Sequence, residues 1–258
     1  MEKQQRPLIL VTNDDGITAP GIRALIETVR DLADLMVVAP DKPQSGMGHA
    51  ITINSTLRIH PVADVDGITE YACSGTPVDC VKLAIGRLLP RKPDLCISGI
   101  NHGSNSSINV IYSGTMSAAV EGCIEGVPSI GFSLCDYRLE ASFEAAKPFV
   151  RKMVETVLEH GLPDGVCLNV NIPKRPLEEI KGLKLCRQAH ALWEETFDER
   201  HDPSGKPYYW LTGVFRNLDS GTDTDEWALA NGYVSVVPVG IDFTAHNAFE
   251  TLSKWQIE

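Results

Sequence analysis

Leu8-Ile9-Leu10-Val11-Thr12-Asn13-Asp14-Asp15-Gly16 reads as a strand that ends in a pair of acids. Residues 8–11 lack polar alternation, as expected of a strand buried on both faces in a parallel sheet. Pro20 and Gly21 open an amphipathic stretch over residues 20–33, with Ile22, Leu25, Ile26 and Val29 at helical spacing. Residues 35–39 follow as a second apolar run, which completes one βαβ unit.

The alternation continues outward. Residues 51–61 read as an extended excursion, and Thr76-Pro77-Val78-Asp79 supplies an N-cap, a proline at the first helical position and an acid in the first turn of a helix to about Leu89. Residues 95–98, 127–134 and 166–172 read as strands, separated by a small-residue helix over 115–126 and a helix over 142–160. The class is α/β, with a doubly wound, mainly parallel sheet. After Pro173 the pattern changes. Strand-like arms flank Asp202-Pro203-Ser204-Gly205-Lys206-Pro207, giving a protruding β-hairpin over about 184–214. A short helix from Asp225, stopped by Asn231-Gly232, precedes a strand over 233–239 and a tail over about 246–258. The expected organisation is one domain over 1–258, with a core of about 1–173 plus 215–245.

A chain of 258 residues with 43% hydrophobic and 22% charged residues has the composition of a soluble globular protein. No apolar run is long enough to span a membrane, and the polar start before Pro7 does not read as a signal peptide, so a cytoplasmic location is expected. The net charge of −11 repels polyanions and argues against sequence-independent nucleic-acid binding. Seven cysteines, odd in number and never spaced C-x-x-C, read as buried reduced thiols.

In doubly wound sheets the ligand crevice lies beyond the carboxyl ends of the strands. Asp14 and Asp15 sit there, and two carboxylates held that close repel unless they share a proton or a hard cation; the structural alternative is a capping turn. The loop over 40–49 places Ser45 and His49 after the second strand, and the loop after residue 98 offers the Asn101 amide oxygen. Tyr112-Ser113-Gly114-Thr115 gathers hydroxyls and N–H groups at a helix start, which suits either an anion or simple N-capping. Together these describe metal-assisted phosphoryl transfer to water. Adjacent acids argue against the D-x-D pattern of haloacid-dehalogenase-like phosphatases, and no G-x-G-x-x-G follows the first strand.

The segments Val11-Thr12-Asn13-Asp14-Asp15-Gly16-Ile17, Pro43-Gln44-Ser45-Gly46, Ser98-Gly99-Ile100-Asn101-His102-Gly103 and Tyr112-Ser113-Gly114-Thr115 resemble the SurE family of metal-dependent nucleotidases. Gly75-Thr76-Pro77, Asn169-Val170-Asn171-Ile172-Pro173, Thr224-Asp225 and Gly232-Tyr233-Val234-Ser235 extend the resemblance over nearly the whole chain. It implies a Rossmann-like core and a carboxyl-terminal extension through which a homodimer or homotetramer forms. It also implies one divalent ion per subunit, Mg²⁺ or Mn²⁺, held by Asp14, Asp15, Ser45 and Asn101. Asp14 and Asp15 would be catalytic, and Asn13, Ser113, Gly114 and Thr115 would hold the phosphate of a nucleoside monophosphate, at its 5′ or 3′ position. The mechanism expected is attack by an activated water with one aspartate accepting its proton, with an aspartyl-phosphate as the rival. A nucleotide-sensing module without turnover is the alternative function.

Overall fold

A strand with apolar side chains on both faces needs cover on both, and β1 (Leu8–Thr12) finds it inside a sheet between two helical layers. The computed structural model describes residues 6–62, 67–138 and 140–255. After β1 come α1 (Pro20–Val29), β2 (Asp34–Pro40), β3 (Ile59–Pro61), β4 (Thr69–Cys73), α2 (Pro77–Leu83) and β5 (Leu95–His102). Then follow α3 (Gly114–Ile124), β6 (Ser129–Leu134), α4 (Lys147–His160), β7 (Val166–Ile172) and β8 (Leu183–Leu185). The chain continues through β9 (Ala191–His201), β10 (Pro207–Asn217), α5 (Asp225–Ala230) and β11 (Val234–Gly240).

Among the described residues one sheet has nine strands in the order β3-β4-β2-β1-β5-β6-β7-β11-β8, and β9 pairs only with β10. Strands β4, β2, β1, β5, β6 and β7 are mutually parallel, whereas β3 and β11 run antiparallel to their neighbours β4 and β7. The two-residue period of β1 divides the core. Ile9 and Val11 pack with Ile22 and Leu25 of α1 and Val150 and Val154 of α4, while Leu10 packs with Val81 of α2 and Ala118 of α3. From β1 the chain winds outward through β2 and β4 on one side, and from β5 through β6 and β7 on the other. The β1/β5 junction is therefore the topological switch point, where the loop after Thr12 meets the end of β5. β5 does not stop at residue 98 as expected: its register against β6 shifts between Ser98 and Asn101 and pairing resumes, so Asn101 lies in the strand and not on a loop after it.

Two further expectations are corrected. β4 lies beyond the expected excursion, and its pattern conceals a strand parallel to β2 because the charged Glu70 is its second residue. Glu70 is 3% exposed, and Arg23 of α1 donates to both of its carboxylate oxygens at 2.8 and 2.9 Å. The hairpin runs over β9 and β10, from Ala191 to Asn217, and not over 184–214. Leu183–Leu185 joins the main sheet parallel to β11. Its alternation is the same as that of a hairpin arm, so the pattern alone does not identify its pairing partner. The tight turn is where the sequence places it, with Asp202 Oδ1 accepting from the Ser204 and Lys206 N–H groups. Phe197, Tyr208, Tyr209, Trp210 and Leu211 on this hairpin are exposed.

All seven cysteines are unpaired, six of them buried. Among the described residues no helix is long and apolar enough to cross a membrane.

The crevice depends on how closely α1 approaches β5. A Cβ built on Gly21 falls 1.9 Å from the Ile100 carbonyl oxygen, next to Asn101. Alanine at a helical position normally stabilises by up to about 1 kcal/mol, but overpacking against backbone costs about 1–3 kcal/mol or more. Gly21→Ala should therefore destabilise the protein, lowering Tm by roughly 2–10 °C; an unchanged or raised melting temperature in calorimetry would refute the close approach.

Candidate metal and phosphate site

Asp14 follows the last residue of β1 by two positions and is 4% exposed. Its carboxylate lies on the start of α3, where Thr115 Oγ1 donates to Asp14 Oδ1 at 2.5 Å and the Thr115 backbone also bonds to it. A Cβ on Gly114 would fall 2.7 Å from Asp14 Cβ, so glycine is what allows the acid to lie across the helix N-terminus. Asp14 thus takes the anion position of α3. Burial and then the neighbouring charge of Asp15 still outweigh these bonds, and the carboxyl is pushed up from 3.8 to about 6. Asp15 is half-buried. Burial raises its carboxyl as well, opposed by the His102 backbone N–H, 3.5 Å from Oδ2, and by the His102 ring charge.

The other loops are tied to this point. The Gln44 N–H donates to the Asp14 carbonyl at 2.7 Å, which seats Ser45 on the rim of the same cleft. Asn101 Nδ2 donates to the Gly103 carbonyl at 3.0 Å, leaving its Oδ1 for another partner. His49 does not reach the crevice: its Nε2 lies 2.8 Å from Oε2 of buried Glu121 on α3. Polar side chains at the ends of β6 and β7 hold the loop after β5. Asn105 Nδ2 donates to Ser133 Oγ, the Asn105 N–H to Asn171 Oδ1, and Asn169 Nδ2 to the Asn105 carbonyl, each at 2.8 Å. The Ser107 N–H donates to Asp225 Oδ2 at 2.7 Å, which anchors the same loop to α5.

Asp14, Ser45, Asn101 and Ser113 line one cleft of about 250 Å³, together with His102, Ser104, Asn105, Tyr112 and Trp193. No lysine or arginine is among its lining residues. The residues expected at the phosphate divide in two. Ser113 lines the cleft, its Oγ capping α3 by accepting from the Met116 N–H at 3.0 Å. Thr115 is fully buried with its hydroxyl committed to Asp14, and Gly114 packs against the same acid. Asn13 is a buried turn former whose Nδ2 donates to the Gly16 carbonyl at 2.9 Å. The loop sequences held no sign that Tyr112, Tyr137 and Trp193 meet here, because Trp193 arrives on the hairpin.

Among the described residues no three His, Cys, Asp or Glu side chains gather as a metal cluster. The candidate donors are instead two carboxylates, a hydroxyl and an amide oxygen, all hard oxygen donors. Thr12 Oγ1 and Asn13 Oδ1 at the end of β1, and Ser98 Oγ and His102 Nδ1 on β5, are buried and without a hydrogen-bond partner. A larger cleft, of about 680 Å³, lies beyond β6, but there the buried acid Asp136 already bonds Arg138 and Lys174.

The family model described as Survival protein SurE matches residues 9–195. The chain belongs to the SurE family. A protein named 5′-nucleotidase SurE from Flavobacterium psychrophilum is 64% identical over 98% of both chains. One of the same name from Phocaeicola vulgatus is 46% identical over 99% of both. The crystal structure of the SurE protein from Aquifex aeolicus superposes with a TM-score of 0.83 at 40% identity, covering 96% of this chain and 99% of that one. The matched span of the SurE model contains Asp14, Asp15, Ser45, Asn101 and the start of α3, and it ends within β9.

The buried Asp14 carboxylate sets a pH dependence. The Asp14 carboxyl is raised from 3.8 to about 6, so the metal-free fold binds that proton more tightly than the unfolded chain does. The penalty for its charge is absent below pH 3.8, grows as pH rises towards about 6, and is complete above that. Asp14→Asn should accordingly raise the apoprotein's stability at pH 7.5 by on the order of 2 kcal/mol, an advantage that fades by pH 4. Equal or lower stability of the variant at pH 7.5 in chelator-treated protein would overturn the assignment.

Proposed function

We propose that the protein is a divalent-metal-dependent phosphomonoester hydrolase that releases phosphate from nucleoside monophosphates. The observation that carries this reading is a polar cleft lined by the buried Asp14, with the half-buried Asp15 next to it in the chain, and with no lysine or arginine in its walls. A phosphate brought beside Asp14 and Asp15 meets like charge and needs a cation to bind. Asp14, Asp15, Ser45 and Asn101 would hold one Mg²⁺ or Mn²⁺ per subunit as a set of hard oxygen donors. When bound, the ion neutralises phosphate charge and acidifies water. The chain's own groups do the rest. Thr115 and Gly114 fix Asp14 on the helix start, while the Ser113 hydroxyl, which accepts from the Met116 N–H, has its own O–H to offer a phosphate oxygen along the cleft wall. Asp15, the more exposed acid, would accept the proton of an attacking water. Relatives named 5′-nucleotidase support the 5′ position.

The hairpin is proposed as the surface through which a homodimer or homotetramer assembles. Its aromatic residues are exposed on a two-stranded sheet that is marginal in water without cover. Free thiols without a disulfide favour a cytoplasmic site of action.

Phosphate release from a panel of nucleoside monophosphates should require Mg²⁺ or Mn²⁺ and cease with chelator. Asp15→Asn should lower kcat/KM on the order of 100-fold while leaving the circular dichroism spectrum unchanged. Binding of nucleotide with no release under either metal would favour a sensor over a hydrolase. Ala191 and Asn217 are register partners, so a short Gly/Ser linker can replace residues 192–216. The product should sediment as a soluble monomer, and an unchanged oligomer would place the subunit contact elsewhere.

A further inference from the structure

The cleft over the aspartates continues through Gly46, Tyr112 and Trp193 into a second groove of about 480 Å³ against the hairpin. The character of the walls changes there. Tyr112, Trp193 and Leu211 present large apolar surfaces, 54%, 40% and 59% exposed, and no lysine or arginine lines the groove. Hairpin register explains the gap. Trp193, Glu195, Gly213 and Leu211 lie on one face of the ribbon, and Gly213, paired with Glu195, contributes no side chain to fill it.

Trp193 is held before anything binds. Its Nε1 donates to Asn109 Oδ1 at 2.8 Å, and Phe215 packs edge-on with ring centroids 5.5 Å apart. An indole fixed at its N–H and its edge has already lost its rotational freedom, so a planar ligand stacks on it at little further entropic cost. Glu195, in the same groove, repels phosphate but accepts from the N–H groups on a base edge. Charge and shape thus orient a nucleotide one way, with its phosphate towards the aspartates and its base in the groove.

We infer that the groove bounded by Tyr112, Trp193 and Leu211 receives the nucleobase, making these hairpin and loop residues the determinants that favour nucleotides over small phosphomonoesters. The inference rests on the proposed hydrolase reading for its turnover test, so a second measurement is independent of turnover. In the first test, kcat/KM is compared for AMP and for ribose 5-phosphate, which lacks the base. Trp193→Ala should reduce the AMP to ribose 5-phosphate ratio by about tenfold or more, chiefly through the KM for AMP, and Trp193→Phe should restore most of it. An unchanged ratio would overturn the base site, whether both substrates fall together or neither does. In the second test, adenosine is titrated into the metal-free protein. The wild type should bind it and Trp193→Ala should weaken binding by about fivefold or more. Equal affinity of the two proteins, or no binding by the wild type, would overturn the base site whatever the outcome with phosphate. Failure to hydrolyse either phosphate, with adenosine binding still sensitive to Trp193, would refute the hydrolase reading alone.

Discussion

Two adjacent carboxylates at the tip of a central strand are the constraint around which this molecule is arranged. Placing Asp14 where only 4% of it is exposed is unfavourable, and Asp15 beside it adds repulsion. The fold answers with the start of α3, laid close enough that only glycine fits at residue 114. The Thr115 hydroxyl and backbone bond the acid, and the helix dipole favours its charge. That arrangement requires α3 to pack tightly on the sheet, and its small residues permit it: a Cβ on Gly122 would meet Ser129 Oγ at 2.4 Å. The Gln44 and His102 N–H groups then bring the loops after β2 and β5 to the same acids.

Much of the fold was legible in the sequence because apolar runs and helix caps are local signals. The Thr76 cap forms as a reciprocal box with Asp79, and Ser113 caps α3. The failures are non-local. Glu70 hides β4 because its partner Arg23 lies 47 residues away on α1, and the alternation of Leu183–Leu185 does not show whether its neighbour is β11 or a hairpin arm. Pairing partners are set by tertiary packing, which a window of sequence does not contain.

The candidate site was legible as a set of loops and less so as a geometry. Three of the four expected metal-binding residues, Asp14, Ser45 and Asn101, line one cleft, and Asp15 adjoins them through the His102 N–H. In the sequence Ser113, Gly114 and Thr115 read as an anion site because a helix N-terminus attracts negative charge. That reading does not reveal that Asp14 of the same chain lies on this helix start. Trp193 was beyond reach for another reason: its contact with Asn109 spans 84 residues and depends on how the hairpin leans.

The hairpin has two open edges. Among the described residues each eleven-residue strand pairs only with the other, so a row of backbone donors and acceptors on either side is available to any passing strand. Long, aromatic-rich edges of this kind template runaway ribbon growth unless something interrupts them. β9 supplies the interruption in its own sequence, with Glu194, Glu195, Asp198, Glu199 and Arg200 between the apolar positions. In a chain of net charge −11, a second copy approaching edge to edge would align acids with acids. The acids of β9 therefore oppose edge-to-edge stacking of one copy on another, as gatekeeper charges do.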